Sequence, residues 1–310
     1  MAKVFIDGSA GTTGLRIYER LAERKDLEMI SLSEQYRKDP AARRDALNTA
    51  DIAFLCLPDA AAIEAVSLAD DPNTVIIDTS TAHRTAQGWT YGFPELAGQK
   101  EKIAASKRIA NPGCHASGFI SLVAPLTACG IVPTDALLSC FSLTGYSGGG
   151  KKMIADYEDE SRKGALAAPR TYGLTQQHKH LPEMAKLSGL TKAPIFSPIV
   201  SSYYAGMEVV VSLFAEQLSG STADIVNAYK DYYHGPIVNF ASGNDEGGFL
   251  SGGAYAGRDD MEISVFGNEE RITLVSRFDN LGKGASGAAI QNMNIVLGVD
   301  ETKGLVIGGK

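Results

Sequence analysis

The chain has 310 residues, 44% of them hydrophobic and 21% charged, with a net charge of −7. That apolar share is enough for a sizeable core and excludes a mainly disordered chain, and the length suits two ordinary domains. No basic stripe relieves the acidic balance, so nucleic acid is excluded as a main partner, and an anionic substrate would have to be captured by local donors. Four cysteines, Cys56, Cys114, Cys129 and Cys140, form no CxxC pair. Three of them lie in apolar runs and read as reduced, buried thiols. No run of about 18 apolar residues exists, so no membrane partner is expected. Residues 1–11 (MAKVFIDGSAG) enter a strand pattern with no charged-then-apolar leader, which points to the cytoplasm.

The first third alternates short apolar strands with helices. Strands are expected over residues 3–7, 27–32, 51–57 and 74–78, and helices over 12–24 and 60–69, the first with Leu15, Tyr18 and Leu21 on one face. Such alternation implies a parallel sheet covered on both faces. After Asn111-Pro112-Gly113 the texture changes. Longer strands are expected over 136–144, 207–214, 261–266 and 271–278, separated by helices and loops, with a small-residue segment turning helical over 284–297. This reads as an α+β domain on a mostly antiparallel sheet.

Directly after the first strand comes Gly8-Ser9-Ala10-Gly11-Thr12-Thr13-Gly14. Glycines at this spacing permit a tight turn and close backbone approach, and the helix start offers free N–H groups to a pyrophosphate. The bland alternative is a strand–helix turn with no ligand. An NAD site usually ends its second strand on an acidic residue. Here Ser33 and Glu34 are followed by Arg37 and Lys38, which suits a 2′-phosphate, so NADP is favoured while Glu34 keeps NAD open. Arg37 and Lys38 could equally be a solvated charge run.

The stretch Asn111 to Gly118 (NPGCHASG) stops a strand and opens an apolar helix with Cys114 in its first turn. Orphan N–H groups and the helix dipole there favour a thiolate, which is a nucleophile. Cys56, Cys129 and Cys140 read as inert core. The segment QHKHLPE places His178 and His180 one residue apart. A metal site lacks a third ligand, so one of the two is expected to serve as acid/base beside the thiolate, and no metal is expected. His115 adjoins Cys114 but faces away from it on the helix, and is expected to be structural or supporting.

Taken together, IDGSAGTTGLRI, CLPDAA, IIDTSTAHR, YGFPEL, NPGCHASG, GYSGGGKKMI, HKHLPE and LGKGASGAAIQNMN span nearly the whole chain, and in this order they resemble the N-acetyl-γ-glutamyl-phosphate reductases, in their shorter, type 2 form. The expected fold is an α/β Rossmann-like dinucleotide-binding domain over residues 1–112, to which a C-terminal helix over about 284–310 returns, and an α+β catalytic and dimerisation domain over 113–283.

The resemblance implies NADPH-dependent reduction of an acyl phosphate, N-acetyl-glutamyl 5-phosphate, to the 5-semialdehyde in arginine biosynthesis. Cys114 forms a thioester, and His180 or His178, with a slight preference for His180, is the acid. Phosphate capture is expected from Arg84, Ser147, Gly148, Gly149 and Lys151, closure over the substrate from Tyr172, packing near the nicotinamide from Cys56-Leu57-Pro58, and a contact to its carboxamide from Gln291 or Asn292. The cofactor set is thus Gly8, Ser9, Gly11, Thr12, Thr13, Gly14, Ser33, Arg37, Cys56, Leu57, Pro58 and Asn292, and a homodimer or homotetramer is the expected assembly. The alternatives are a reductase of aspartyl or N-acetyl-aminoadipyl phosphate, and a catalytically silent NADP-sensing protein.

Overall fold

The computed structural model describes residues 1–308. The chain divides into two compact units, residues 1–113 with 285–305, and residues 114–284 with 306–308.

In the first unit, strands β1 (Ala2–Asp7), β2 (Leu27–Ile30), β3 (Ile52–Leu55), β4 (Val75–Asp78), β5 (Thr90–Tyr91) and β6 (Arg108–Ala110) form a sheet in the order β2-β1-β3-β4-β6-β5, parallel throughout. Between them run α1 (Thr12–Ala22), α2 (Pro40–Thr49), α3 (Asp59–Leu68) and α4 (Gln99–Ala105). Because strand residues alternate sides, each short strand serves two cores. Val4, Ile6, Ile52 and Phe54 pack with Ile17 and Leu21 of α1 and with Ile290 and Met293 of the helix Gly287–Val296. Phe5, Ala53 and Leu55 face the other way, onto Leu47 of α2 and Ala62 and Ala65 of α3.

Three expectations need correction here. The buried face of α1 is Gly14, Ile17 and Leu21, while Leu15 and Tyr18 are exposed. Helix α2 was not expected, because PAARRDALNT is largely polar and buries only Arg43, Ala46 and Leu47. The late helix stops at Val296, short of 310. Gly298 turns the chain at φ 65°, and the following turns are tied down by Lys303 Nζ on Asp26 (3.0 Å).

The second unit holds a seven-stranded sheet. Its helices and strands are α5 (Cys114–Ala128), β7 (Ser139–Gly145), α6 (Gly150–Glu158), α7 (Lys163–Leu166), β8 (Arg170–Thr171), α8 (Leu181–Leu187), β9 (Ile195–Ser201), β10 (Met207–Phe214), α9 (Thr222–Tyr232), β11 (Val238–Phe240), β12 (Met261–Gly267) and β13 (Arg271–Phe278). The order is β11-β12-β13-β10-β7-β9-β8, antiparallel except at β11/β12 and β7/β9. The sheet is therefore mixed, with antiparallel pairs in the majority.

Helix α5 lies on one face of this sheet. The approach is so close at Gly118 that a Cβ there would meet Val209 Cγ2 at 2.4 Å. The helix also contains Pro125, which has no N–H for the Ser121 carbonyl. Tyr233 Oη donates to that carbonyl instead (2.6 Å), and Tyr229 Oη donates to the next one, Leu122 (2.5 Å). Cys129, just beyond the helix, is exposed, which corrects its reading as core; Cys140 is buried.

Candidate functional site

In the first unit, a pocket of about 640 Å³ lies at the carboxyl ends of β1 and β3. Gly8, Ser9, Gly11, Arg37, Cys56 and Leu57 line it, as do Leu15 and Tyr18, which accounts for the exposed apolar side chains of α1. Thr12, Thr13, Gly14, Ser33, Pro58 and Asn292 are not among its lining residues.

The glycines are sterically required. Gly8 has φ 88°, and a Cβ there would stand 2.3 Å from the Cys56 carbonyl oxygen. A Cβ on Gly14 would stand 2.4 Å from the Gly8 carbonyl oxygen. The loop is thus folded tightly between β3 and the start of α1, whose N-cap, Gly11, supplies no side-chain cap. Thr12 Oγ1 is buried there with no hydrogen-bond partner among the described residues. Uncapped helix N–H groups beside a narrow glycine cradle and an unsatisfied hydroxyl fit a dinucleotide pyrophosphate. At the other side of the pocket Arg37 Nη2 meets Glu34 Oε1 at 2.8 Å. Burial pushes the Cys56 thiol up to about 12, which keeps it an un-ionised wall residue.

Two other expected residues of this unit are fixed by internal bonds. Arg84 Nε donates to the Asn111 carbonyl (3.0 Å) and its Nη2 to that of Thr79 (3.1 Å). Asn292 is buried, and its Nδ2 donates to the Gly92 carbonyl (2.9 Å) and to Asn111 Oδ1 (3.2 Å). Its Oδ1 has no partner among the described residues.

In the second unit, Cys114 is the first residue of α5 and is partly exposed. Gly284, in the π-helical turn Gly282–Ser286, packs directly on it, and a Cβ at Gly284 would lie 2.9 Å from Cys114 Cβ. His115 points into the unit, toward the sheet. Its ring centroid is 5.7 Å from that of His178, 5.6 Å from that of His180 and 5.3 Å from that of Phe196. Nδ1 of His115 lies 2.6 Å from Ser142 Oγ, and Nε2 lies 2.6 Å from Tyr172 Oη. Burial, reinforced by His178, pushes His115 down to about 3, so its ring is neutral.

The two histidines of the HKH segment differ. His178 is partly exposed, and its Nδ1 accepts the backbone N–H of His180 (3.2 Å), which leaves its ring proton on Nε2. His180 is buried at the N-cap of α8, with Nε2 4.0 Å from Glu183 Oε1.

The expected phosphate loop runs from the end of β7 into α6. Gly148, Gly149 and Lys151 are at or near the surface, whereas Ser147 is buried and its Oγ accepts from Asn280 Nδ2 (3.0 Å). Gly284 and Ser142 are not among the expected site residues. Ser142 carried one signal: the strand SCFSLTG sets a hydroxyl on its inward face between Cys140 and Thr144.

Residues 3–105 match the semialdehyde dehydrogenase NAD-binding domain, and residues 114–280 match the semialdehyde dehydrogenase dimerisation domain. A protein named N-acetyl-gamma-glutamyl-phosphate reductase 2 from Nostoc sp. is 47% identical over 318 residues, covering 98% of this chain and 99% of its own. An N-acetyl-gamma-glutamyl-phosphate reductase from Brucella anthropi is 49% identical over 306 residues, covering 96% and 98%. Among solved structures, aspartate semialdehyde dehydrogenase II from Vibrio cholerae superposes with a TM-score of 0.72 at 16% identity over 96% of this chain and 98% of that one. Aspartate semialdehyde dehydrogenase with NADP from Candida albicans superposes with a TM-score of 0.68 at 14% identity, over 96% and 98%. These structural likenesses concern the fold.

Proposed function

The chain belongs to the N-acetyl-γ-glutamyl-phosphate reductase family, and on that premise we propose that it reduces N-acetyl-glutamyl 5-phosphate to N-acetyl-glutamate 5-semialdehyde and phosphate, with NADPH as the reductant and Cys114 as the nucleophile. The observation that carries the reading is the start of α5. There Cys114 stands partly exposed on a helix N-terminus, and the residue after it anchors a knot of Tyr172, His178 and His180.

The Cys114 sulfur attacks the acyl carbon, the carbon–oxygen bond to phosphate breaks, phosphate leaves, and the acyl group remains as a thioester. N–H groups of the first turn of α5 stabilise the oxygen as it gains charge. A bound reduced nicotinamide supplies the hydride that takes this thioester to the aldehyde level. His178 gives its Nε2 proton to the charged oxygen of the tetrahedral adduct on Cys114, which makes the thiohemiacetal, and takes it back as the carbon–sulfur bond breaks, the Cys114 thiolate is restored and the aldehyde departs. The geometry favours His178 over His180 for this role, because His180 is buried against Glu183 while His178 is partly exposed with its proton already on Nε2.

Gly8, Gly11 and the start of α1 hold the pyrophosphate, and Arg37 with Lys38 favour a 2′-phosphate, so Arg37→Ala is expected to weaken NADPH more than NADH. The turn Ser147–Lys151 is assigned to the substrate phosphate. The outer face of the second sheet carries Phe141 opposite Val210, and Phe214, all pointing away from α5, and it supports a homodimer through that face. A cytoplasmic location follows from the reaction's place in amino-acid synthesis.

The test is the reverse assay. N-acetylglutamate semialdehyde, inorganic phosphate and NADP should yield NADPH absorbance. No signal with that aldehyde, together with a signal from aspartate semialdehyde, would reject the assignment.

A further inference from the structure

Behind Cys114 lies a chain of three side chains whose hydrogen-bond directions can be worked out one at a time. Ser142 is fully buried on β7, and among the described residues its hydroxyl has one partner, His115 Nδ1 at 2.6 Å. A buried O–H with no acceptor is costlier than a lone pair with no donor, so Ser142 donates. Nδ1 of His115 is then an acceptor. Burial keeps this ring neutral, so its single proton sits on Nε2. That N–H points at Tyr172 Oη, 2.6 Å away, and the phenol oxygen accepts it. Tyr172 Oη has no other partner among the described residues, so its own O–H is left without an acceptor among them. Burial, and after it the charge of Cys114, push the ionisation of this phenol well up, so it remains a donor.

We propose that His115 is a positioning residue which, held by Ser142, fixes Tyr172 by its oxygen so that the phenolic O–H donates to the oxygen of the acyl group carried on Cys114. This deepens, and rests on, the reductase reading. It gives Tyr172 a defined role as an oxyanion donor beside the first turn of α5, and it turns His115 from a packing residue into the member that aims that donor. The neutral tautomer is the essential point. Reversed polarity, with Tyr172 donating into Nε2, would occupy the phenol proton and leave Ser142 with an unsatisfied O–H.

The experiment uses the full chain in the reverse assay, with kcat and the KM for NADP measured for each variant. Removal of one oxyanion donor typically costs about 100-fold or more in kcat, so Tyr172→Phe should fall by that order with an unchanged KM for NADP. His115→Asn, which keeps an amide near the Nδ1 position only, should fall to the Tyr172→Phe level. His115→Gln, whose amide nitrogen takes the place of Nε2, should recover most of the rate. Ser142→Ala should lower kcat in the wild-type background and change nothing further in Tyr172→Phe.

Tyr172→Phe turning over within threefold of wild type, equal loss in the Gln and Asn variants, or a full additional loss from Ser142→Ala on top of Tyr172→Phe would each overturn the proposal. If the His115 variants do not fold, the Ser142/Tyr172 double-mutant cycle decides alone. A wild-type chain inert toward N-acetylglutamate semialdehyde would overturn the reductase reading and this proposal with it. An active wild type with unaffected variants would overturn this proposal only.

Discussion

Gly284→Ala is the sharpest steric test of the thiol's placement. Gly284 is not in the left-handed region, so alanine meets no backbone strain there; the obstacle is space. A Cβ would sit 2.9 Å from Cys114 Cβ, 3.0 Å from the Asp279 carbonyl oxygen and 3.3 Å from Phe278 Cε2. Ordinary carbon–carbon contact needs about 3.5–4.0 Å, so Cys114 or the turn must retreat by roughly 0.5–1 Å. The turn is poorly able to yield, because the Asp279 carbonyl accepts the N–H groups of both Gly282 and Gly284, and Asp279 is itself buried, with Oδ1 bonded to the Leu281 N–H (2.7 Å). Overpacking of this kind typically costs about 1–3 kcal/mol of stability. The larger effect should be on the reaction, since a misplacement of about 1 Å can cost on the order of 100-fold in rate. The expected outcome is a folded protein with kcat lowered by roughly tenfold to 100-fold and with dinucleotide affinity unchanged, because every residue lining the pocket belongs to the first unit. Steady-state reverse kinetics and a fluorescence titration with NADPH measure the two quantities separately. Wild-type kcat in Gly284→Ala would refute the claim that Gly284 holds Cys114 in place.

Three further outcomes follow from the same structure. In a Cys129→Ser background, iodoacetamide at neutral pH should label Cys114 alone, since burial pushes the Cys56 thiol up to about 12 and raises that of Cys140 still further; peptide mapping that finds fast labelling at Cys56 or Cys140, with none at Cys114, would contradict the assignment of the nucleophile. Tyr233→Phe should cost about 1–3 kcal/mol, because it strips the donor from the Ser121 carbonyl that Pro125 cannot serve; thermal melts read the loss, and an unchanged Tm would show that another donor takes its place. His115 should also shape the acid limb of stability. Its folded pKa of about 3 lies below the unfolded value of about 6.5, so the unfolded chain binds the proton first. Stability is then intact above pH 6.5 and is lost as pH falls toward 3, at up to about 1.4 kcal/mol per pH unit. Denaturant titrations at pH 7 and pH 5 should show a smaller acid loss in His115→Gln than in wild type, and equal losses would remove the histidine from the account.

Much of the architecture could be read from residue order because the local and long-range signals agree there. KVFID, DIAFLC and TVIID are apolar on both sides, which only a doubly covered parallel sheet satisfies, and strands Met207–Phe214 and Arg271–Phe278 fall where alternation places them. The misreadings came where one apolar residue could serve two ends. Leu15 and Tyr18 have helical spacing with Leu21, yet they face a ligand-sized pocket while Gly14, with no side chain at all, is the buried neighbour. Cys129 sits at the end of an apolar helix, but that end emerges at Gly130, so the thiol is exposed. Helix α2 hid because it buries little and is held instead by Asp39 capping its first turn and by the buried Arg43–Asp7 ion pair.

The cluster behind the thiol shows a different limit. Cys114 and the HKH segment declare themselves by residue type and position, since a helix start and two neighbouring imidazoles are one-dimensional features. The relay does not. Ser142, His115 and Tyr172 lie 27 and 57 residues apart along the chain, and what joins them is a pair of 2.6 Å hydrogen bonds set by the pairing of β7 with β9 and of β9 with β8. Residue 115 faces away from residue 114 on the helix, and a sequence reading takes that as grounds to dismiss it. In the fold, facing away is what makes it useful. The ring reaches the inward side of β7, meets a buried hydroxyl that donates to it, and is thereby held in the tautomer that turns a phenol proton outward. Directionality passes from a buried strand serine to an oxygen beside the nucleophile, and the link that carries it is a histidine kept neutral by the same burial that would otherwise mark it as inert.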